Sequence, residues 1–138
     1  MITNLNKAIR ESVSQRFTAQ IPEVPFTAAI PDDLTKAFVL LSQIRKKSDG
    51  DADGQGFLVD LTFSVYGDPN YLTFTQVDEH LAKITSVMSV TTDNDPLPSF
   101  SLPGYRVVKT LYKEDFCVGA QKGPYGEINF ELEVKENV

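Results

Sequence analysis

Asp49, Asp51, Asp53, Gly54 and Asp60 are the residues of this chain whose types and spacing come nearest to chemistry. In the stretch D-G-D-A-D-G-Q-G, Asp49–Gly56, they fill the opening positions of the calcium-loop pattern D-x-[DN]-x-[DN]-G-x5-E, and Asp60 stands at its final ligand position. Calcium takes about six to eight oxygen ligands, which alternating carboxylates wrapped around a glycine turn can supply. Asp49, Asp51, Asp53 and Asp60 are therefore the metal candidates. Two features oppose them. Gly56 occupies a position usually held by an apolar residue, and Phe57–Tyr66 has the period of a strand where a calcium loop needs a helix. Asp60 would then lie inside that strand. The competing reading is a solvated, flexible hairpin loop, about residues 46–56, that reaches toward a partner.

The nucleophile-and-base option rests on His80 and Cys117, the single histidine and the single cysteine. His80 falls on the flank of an expected helix and Cys117 in an expected strand, where a free cysteine is usually a small buried hydrophobe. Neither has the local signature of a catalytic cysteine family, and a dyad also needs an orienting group and an oxyanion site. One Cys and one His are too few for an ordinary zinc centre. Neither G-x-x-x-x-G-K-[ST] nor G-x-G-x-x-G occurs, so no phosphate cradle is expected. No cofactor and no catalytic residue are assigned.

Charge and composition narrow the partners. The net charge of −6 opposes binding to phosphate backbones, and Arg45-Lys46-Lys47 is the only cationic run. One cysteine allows no intrachain disulfide, which fits a reducing compartment. No apolar run approaches the ~18 residues of a membrane span, and the first residues show no signal-peptide core. A soluble protein with neither a membrane nor sequence-specific nucleic acid as partner is expected. At 138 residues, 41% of them apolar, the length suits one domain with its own core, spanning 1–138.

The elements that must position these residues follow from periodicity. Thr3–Phe17 places Ile2, Leu5, Ile9, Val13 and Phe17 on one helical face, with Thr3 able to cap it. Gln20–Asp33, with Pro22, Pro25 and Pro31, reads as an extended connector. Ala37–Ile44 fits either a helix or a doubly buried strand; the strand is favoured because Phe57–Tyr66 has a period of two and needs a neighbour. Gly67-Asp68-Pro69-Asn70 is a turn. A second helix covers about Thr73–Val90, with Phe74, Val77, Leu81, Ile84 and Met88 on its apolar face and Thr73/Gln76 resembling a capping box. Thr91–Pro103 is a long connector. Tyr105–Tyr112 and Asp115–Ala120 are strands with Lys113-Glu114 at a bend. Gly119, Gly123 and Gly126 are spaced as turn residues, and Gly123-Pro124-Tyr125-Gly126 is read as a turn. Ile128, Phe130, Leu132 and Val134 then form the dry face of a last strand, whose charged face would discourage edge-to-edge pairing. The fold class is α+β: a mostly antiparallel sheet with two helices on one face, in the order α-β-β-α-β-β.

This succession resembles the tail terminator and tail-completion (head–tail joining) proteins of tailed bacteriophages. The likeness runs through the first helix, the strand F-V-L-L-S-Q-I, the polar loop and the strand F-L-V-D-L-T-F-S-V-Y-G. It continues through the helix T-F-T-Q-V-D-E-H-L-A-K-I-T-S-V-M-S and the strands Y-R-V-V-K-T-L-Y and I-N-F-E-L-E-V. The resemblance implies a non-enzymatic virion protein of the tail or neck, assembled in the host cytoplasm. It implies a homo-oligomeric ring, commonly a hexamer, that stops tube polymerisation at the head-proximal end and joins tail to head. Its partners would be the tail tube protein and the head–tail connector proteins. The acidic D-G-D-A-D-G loop is not a motif of that family. A calcium-binding or other non-catalytic interaction module built on Asp49–Asp60 is the alternative.

Overall fold

A computed structural model describes residues 5–27, 37–48, 56–68, 74–88, 102, 104–120 and 123–136. Its elements are α1 (Leu5–Gln20), β1 (Phe26–Thr27), β2 (Phe38–Ser48), β3 (Gly56–Tyr66), α2 (Thr75–Met88), β4 (Tyr105–Ala120) and β5 (Gly123–Glu136). Five strands make one sheet in the order β1-β2-β3-β5-β4. The junctions β2/β3, β3/β5 and β5/β4 are antiparallel.

The β1/β2 junction is parallel, so the sheet is mixed and the expected α-β-β-α-β-β order gains one strand. That strand lies in the proline-bearing connector. Two residues carry no periodicity of their own, and β1 exists because Phe26 and Thr27 pair with Val39 and Leu40. Next to it, the Val39 amide donates to the Pro25 carbonyl at 2.9 Å.

The helices form because their apolar residues recur at three and four, and both stripes are spent on one side of the sheet. Leu5, Ile9, Val13 and Phe17 of α1 join Val77, Leu81, Ile84 and Met88 of α2 over Val59, Leu61, Phe63 and Val65 of β3 and Ile128, Phe130, Leu132 and Val134 of β5. Each fully buried Leu, Ile or Phe contributes roughly 1.5–3 kcal/mol, so this layer holds the fold together. Phe17 ties it across elements, stacking on Phe63 at 5.4 Å and tilting on Phe26 at 4.7 Å. Arg16, buried in α1, donates from Nε to the Val87 carbonyl at 2.9 Å and satisfies an acceptor in the last turn of α2.

Several boundaries differ from the sequence reading. Helix α1 runs on to Gln20, and Phe74 stands exposed ahead of α2 rather than in its buried stripe. Lys46–Ser48 and Gly56, read as loop, are strand. Tyr105–Ala120 is one continuous strand, with the register stepping at Val108 and again at Lys113, where the bend was expected. An extra residue on one strand locally kinks and twists it.

Gly123–Gly126 is strand rather than turn, because Tyr125 pairs with Tyr66 on one side and Val118 on the other. Gly126 lies under α2: a Cβ there would sit 2.8 Å from Val77 Cγ1 and 3.2 Å from Leu81 Cδ1. The glycine lets the helix approach the sheet. Strand β5 is interior, so its charged face guards no edge; β4 is the edge. Asp49–Gln55, Thr73, the end of the first proline connector, most of Thr91–Pro103, and Pro69-Asn70 of the expected turn lie outside the described residues.

Candidate interaction surface

Residues opposite one another in a β-ladder project from the same face. The register therefore fixes what the helix-free side of the sheet displays. Phe38, Tyr66, Tyr125 and Val118 are successive partners across β2, β3, β5 and β4. Their rings make a row: Phe38 on Tyr66 at 4.4 Å, Tyr66 on Tyr125 at 5.0 Å, and Phe116 of β4 on Tyr125 at 6.3 Å. Phe38 is buried although it stands apart from the helix-side core cluster.

A polar network runs beside the row. Ser64 donates to Ser42 Oγ at 2.8 Å and lies 3.2 Å from the Tyr125 hydroxyl, which donates to Glu127 at 2.7 Å. Burial above all pushes the Tyr125 phenol up to about 12; the Ser64 hydrogen bond opposes it, and the Glu127 carboxylate that accepts the phenol's hydrogen bond adds to it. Thr62 donates to Asn129 Oδ1 at 2.7 Å in the next rank. Beyond it, Arg45, Asp60, Lys113, Glu114 and Asn129 line an open groove of mixed charge.

At one side of this face the sheet ends in β4. Val108, Leu111, Tyr112, Phe116 and Val118 are each 38–46% exposed, and Phe74 beside Gly119 adds another exposed ring. Leu111, Phe116 and Val118 share the helix-free face, opposite Glu131, Glu127 and Tyr125. Tyr112 lies on the other face, edge-on to Phe130 at 6.1 Å with its hydroxyl donating to Asp115 at 2.7 Å. Edge strands are ordinarily short, charged or covered. This one is sixteen residues long; it carries charges (Arg106, Lys109, Lys113, Glu114 and Asp115) and two register steps, and between them exposed apolar side chains on both faces.

The candidate site residues read from the sequence fall elsewhere. Asp60 sits inside β3, as expected, on the helix-free face between Arg45 and Glu131 in register. Asp49, Asp51 and Asp53 lie outside the described residues. His80 is buried in α2, where burial and then the nearby Lys83 lower its pKa below the ordinary value. Its charged neighbours are Lys83, Glu79 and Glu23, and Lys83 pairs with Glu23 at 3.1 Å. Cys117 is half-buried on β4 beside Asp78, and burial followed by that carboxylate raises its thiol pKa. A thiol shifted upward is a poorer nucleophile at neutral pH. No described hydrogen bond or electrostatic contact joins His80 to Cys117. Among the described residues no helix is long and apolar enough to cross a membrane.

The aromatic row escaped sequence reasoning because its members come from four strands and meet only once the register is known. The one local signal was Tyr66, an aromatic residue on the phase that also carries Asp60, Thr62 and Ser64.

No protein-family description matches the chain. No curated protein matches it in sequence either. Among solved structures, a chain described as "Virion of native gene transfer agent (GTA) particle" is similar with a TM-score of 0.74 and 18% identity, over 97% of this chain and 99% of that one. The likeness is one of fold, and it runs from end to end.

Proposed function

We propose that this protein is a structural, non-enzymatic virion component of the tail-terminator type. It forms a ring at the head-proximal end of the tail tube, stops tube polymerisation and joins tail to head. The observation that carries this reading is the end-to-end likeness in fold to a chain of a virion particle, which supports a structural virion protein, the broader class that includes the family the sequence resembles. A fold alone can host many functions. What favours assembly over catalysis is the distribution of its side chains: a long edge strand with exposed apolar residues and an aromatic row beside it.

Head-to-tail contacts between identical copies close into a ring when the rotation between neighbours closes. The tail tube protein and the head–tail connector proteins are the partners of such a ring, and the virion neck is its place. An acidic subunit also suits a passage for DNA, because phosphate is repelled by like charge. Solution mass together with co-sedimentation on purified tails tests the reading. A closed oligomer that caps tails is expected. A chain that stays monomeric at all concentrations and never associates with tails overturns it.

A further inference from the structure

Strand β4 has β5 on one side, and among the described residues it has no other strand partner beyond a single bridge from Leu102 to Tyr105. At the opposite edge, β1 covers only Val39 and Leu40 of β2, leaving Gln43–Lys47 with β3 alone among the described strands. Three antiparallel junctions separate β2 from β4, so the two run in opposite directions. When neighbouring copies keep the same face and strand direction, β4 of one copy is antiparallel to β2 of the next, as at each of those three junctions.

We propose that β4 pairs with β2 of a second copy of this chain, with Glu114–Val118 set against Gln43–Lys47, and that this is the junction between subunits. The proposal rests on the ring reading above and deepens it. Both segments are free of register steps, which fall at Lys113 and Ser42 just outside them. Facing residues must share a face, and one register does this while placing both acids opposite lysines. On the helix-free face it sets Glu114 against Lys47, Phe116 against Arg45 and Val118 against Gln43. On the helix side it sets Asp115 against Lys46 and Cys117 against Ile44. Arg over an aromatic ring and opposite charges directly across a ladder are both favourable pairings. The occupant is a copy because the chain, at −6 overall, carries its single cationic run on this edge. An acidic neighbour is attracted to this run.

The experiment uses the native Cys117, the only cysteine. Opposed Cα atoms in an antiparallel ladder lie about 4.5–5.5 Å apart, within the span of a disulfide. Ile44→Cys in the full chain, oxidised under assembly conditions, is expected to give a ladder of cross-linked species beyond the dimer. Adding Cys117→Ser should abolish it. Because Ile44 is partly buried, a charge exchange provides a second measurement. Lys46→Glu or Asp115→Lys alone should raise the half-assembly concentration about fivefold or more, and the double variant should restore it. An oligomer of normal mass with neither cross-linking nor charge rescue overturns this junction while leaving the ring intact. A Cys117 cross-link to a different virion protein, with no self-ladder, overturns it as well. A monomer under all conditions overturns both the junction and the ring.

Discussion

Phe38 and Tyr66 stack with ring centroids 4.4 Å apart and planes 17° from parallel, on the side of the sheet that neither helix covers. Phe38 is only 8% exposed there, with Tyr66, itself 37% exposed, lying over it. The pair makes part of this surface a second, small apolar layer. Tyr66→Ala should therefore destabilise the protein by about 2 kcal/mol, combining the ring pair with the newly exposed Phe38 surface. Urea unfolding measures it; a change below about 0.5 kcal/mol would mean that the stack contributes nothing beyond its appearance.

Gly126 sets the distance between α2 and β5. A methyl group there meets Val77 at 2.8 Å and the Phe116 carbonyl oxygen at 3.2 Å, and the latter is backbone and cannot swing away. Gly126→Ala is expected to lower stability by about 1–3 kcal/mol, the usual range for overpacking. Ordinary strand preference argues the other way, because glycine weakens a strand. Thermal unfolding decides between them: a raised midpoint would show that the helix moves out without penalty.

His80 gives the fold an acid-sensitive element. Burial first, and Lys83 second, depress its pKa below the ordinary 6.5, while Glu79 and Glu23 pull weakly the other way. As pH falls below 6.5, the unfolded chain takes up a proton that the folded chain refuses. The unfolded state then binds more protons, so stability falls with pH through that window. Its Nδ1 has no hydrogen-bond partner among the described residues, so an apolar replacement forfeits little there. Denaturant midpoints of His80→Leu should fall less steeply than wild type below pH 6.5. Identical slopes in the two proteins would refute this assignment.

The Asp60 carboxylate is expected to serve the sheet rather than an ion. It sits in the interior of β3 opposite Arg45 and Glu131, on the same face as both. Calorimetry at millimolar calcium should show no saturable heat, and Asp60→Asn should leave the thermal midpoint equally indifferent to calcium. A saturable heat that Asp60→Asn removes would restore the calcium loop and assign the Asp49–Asp60 segment to metal binding.

Much of the architecture was legible where one period ran unbroken. Strand β3 announced itself through Phe57, Val59, Leu61, Phe63 and Val65, and β5 through Ile128, Phe130, Leu132 and Val134, because a two-residue period has one physical reading. The helices followed from spacings of three and four. What failed was set by distant pairing. Gly123-Pro124 has turn composition, yet it is strand because Gly119 and Ala120 lie across from it. Strand β1 is two residues with no pattern. Of the surface, the carboxylate spacing was visible and the aromatic row was not. Phe38, Tyr66, Phe116 and Tyr125 become neighbours only through the register of four strands.

In the role proposed, this chain ends the tail tube and joins it to the head. Electron microscopy of particles assembled without it tests this most directly. Tubes of uncontrolled length and heads without tails are expected, with normal particles restored when the chain is supplied. Tails of normal length joined to heads in its absence would contradict it.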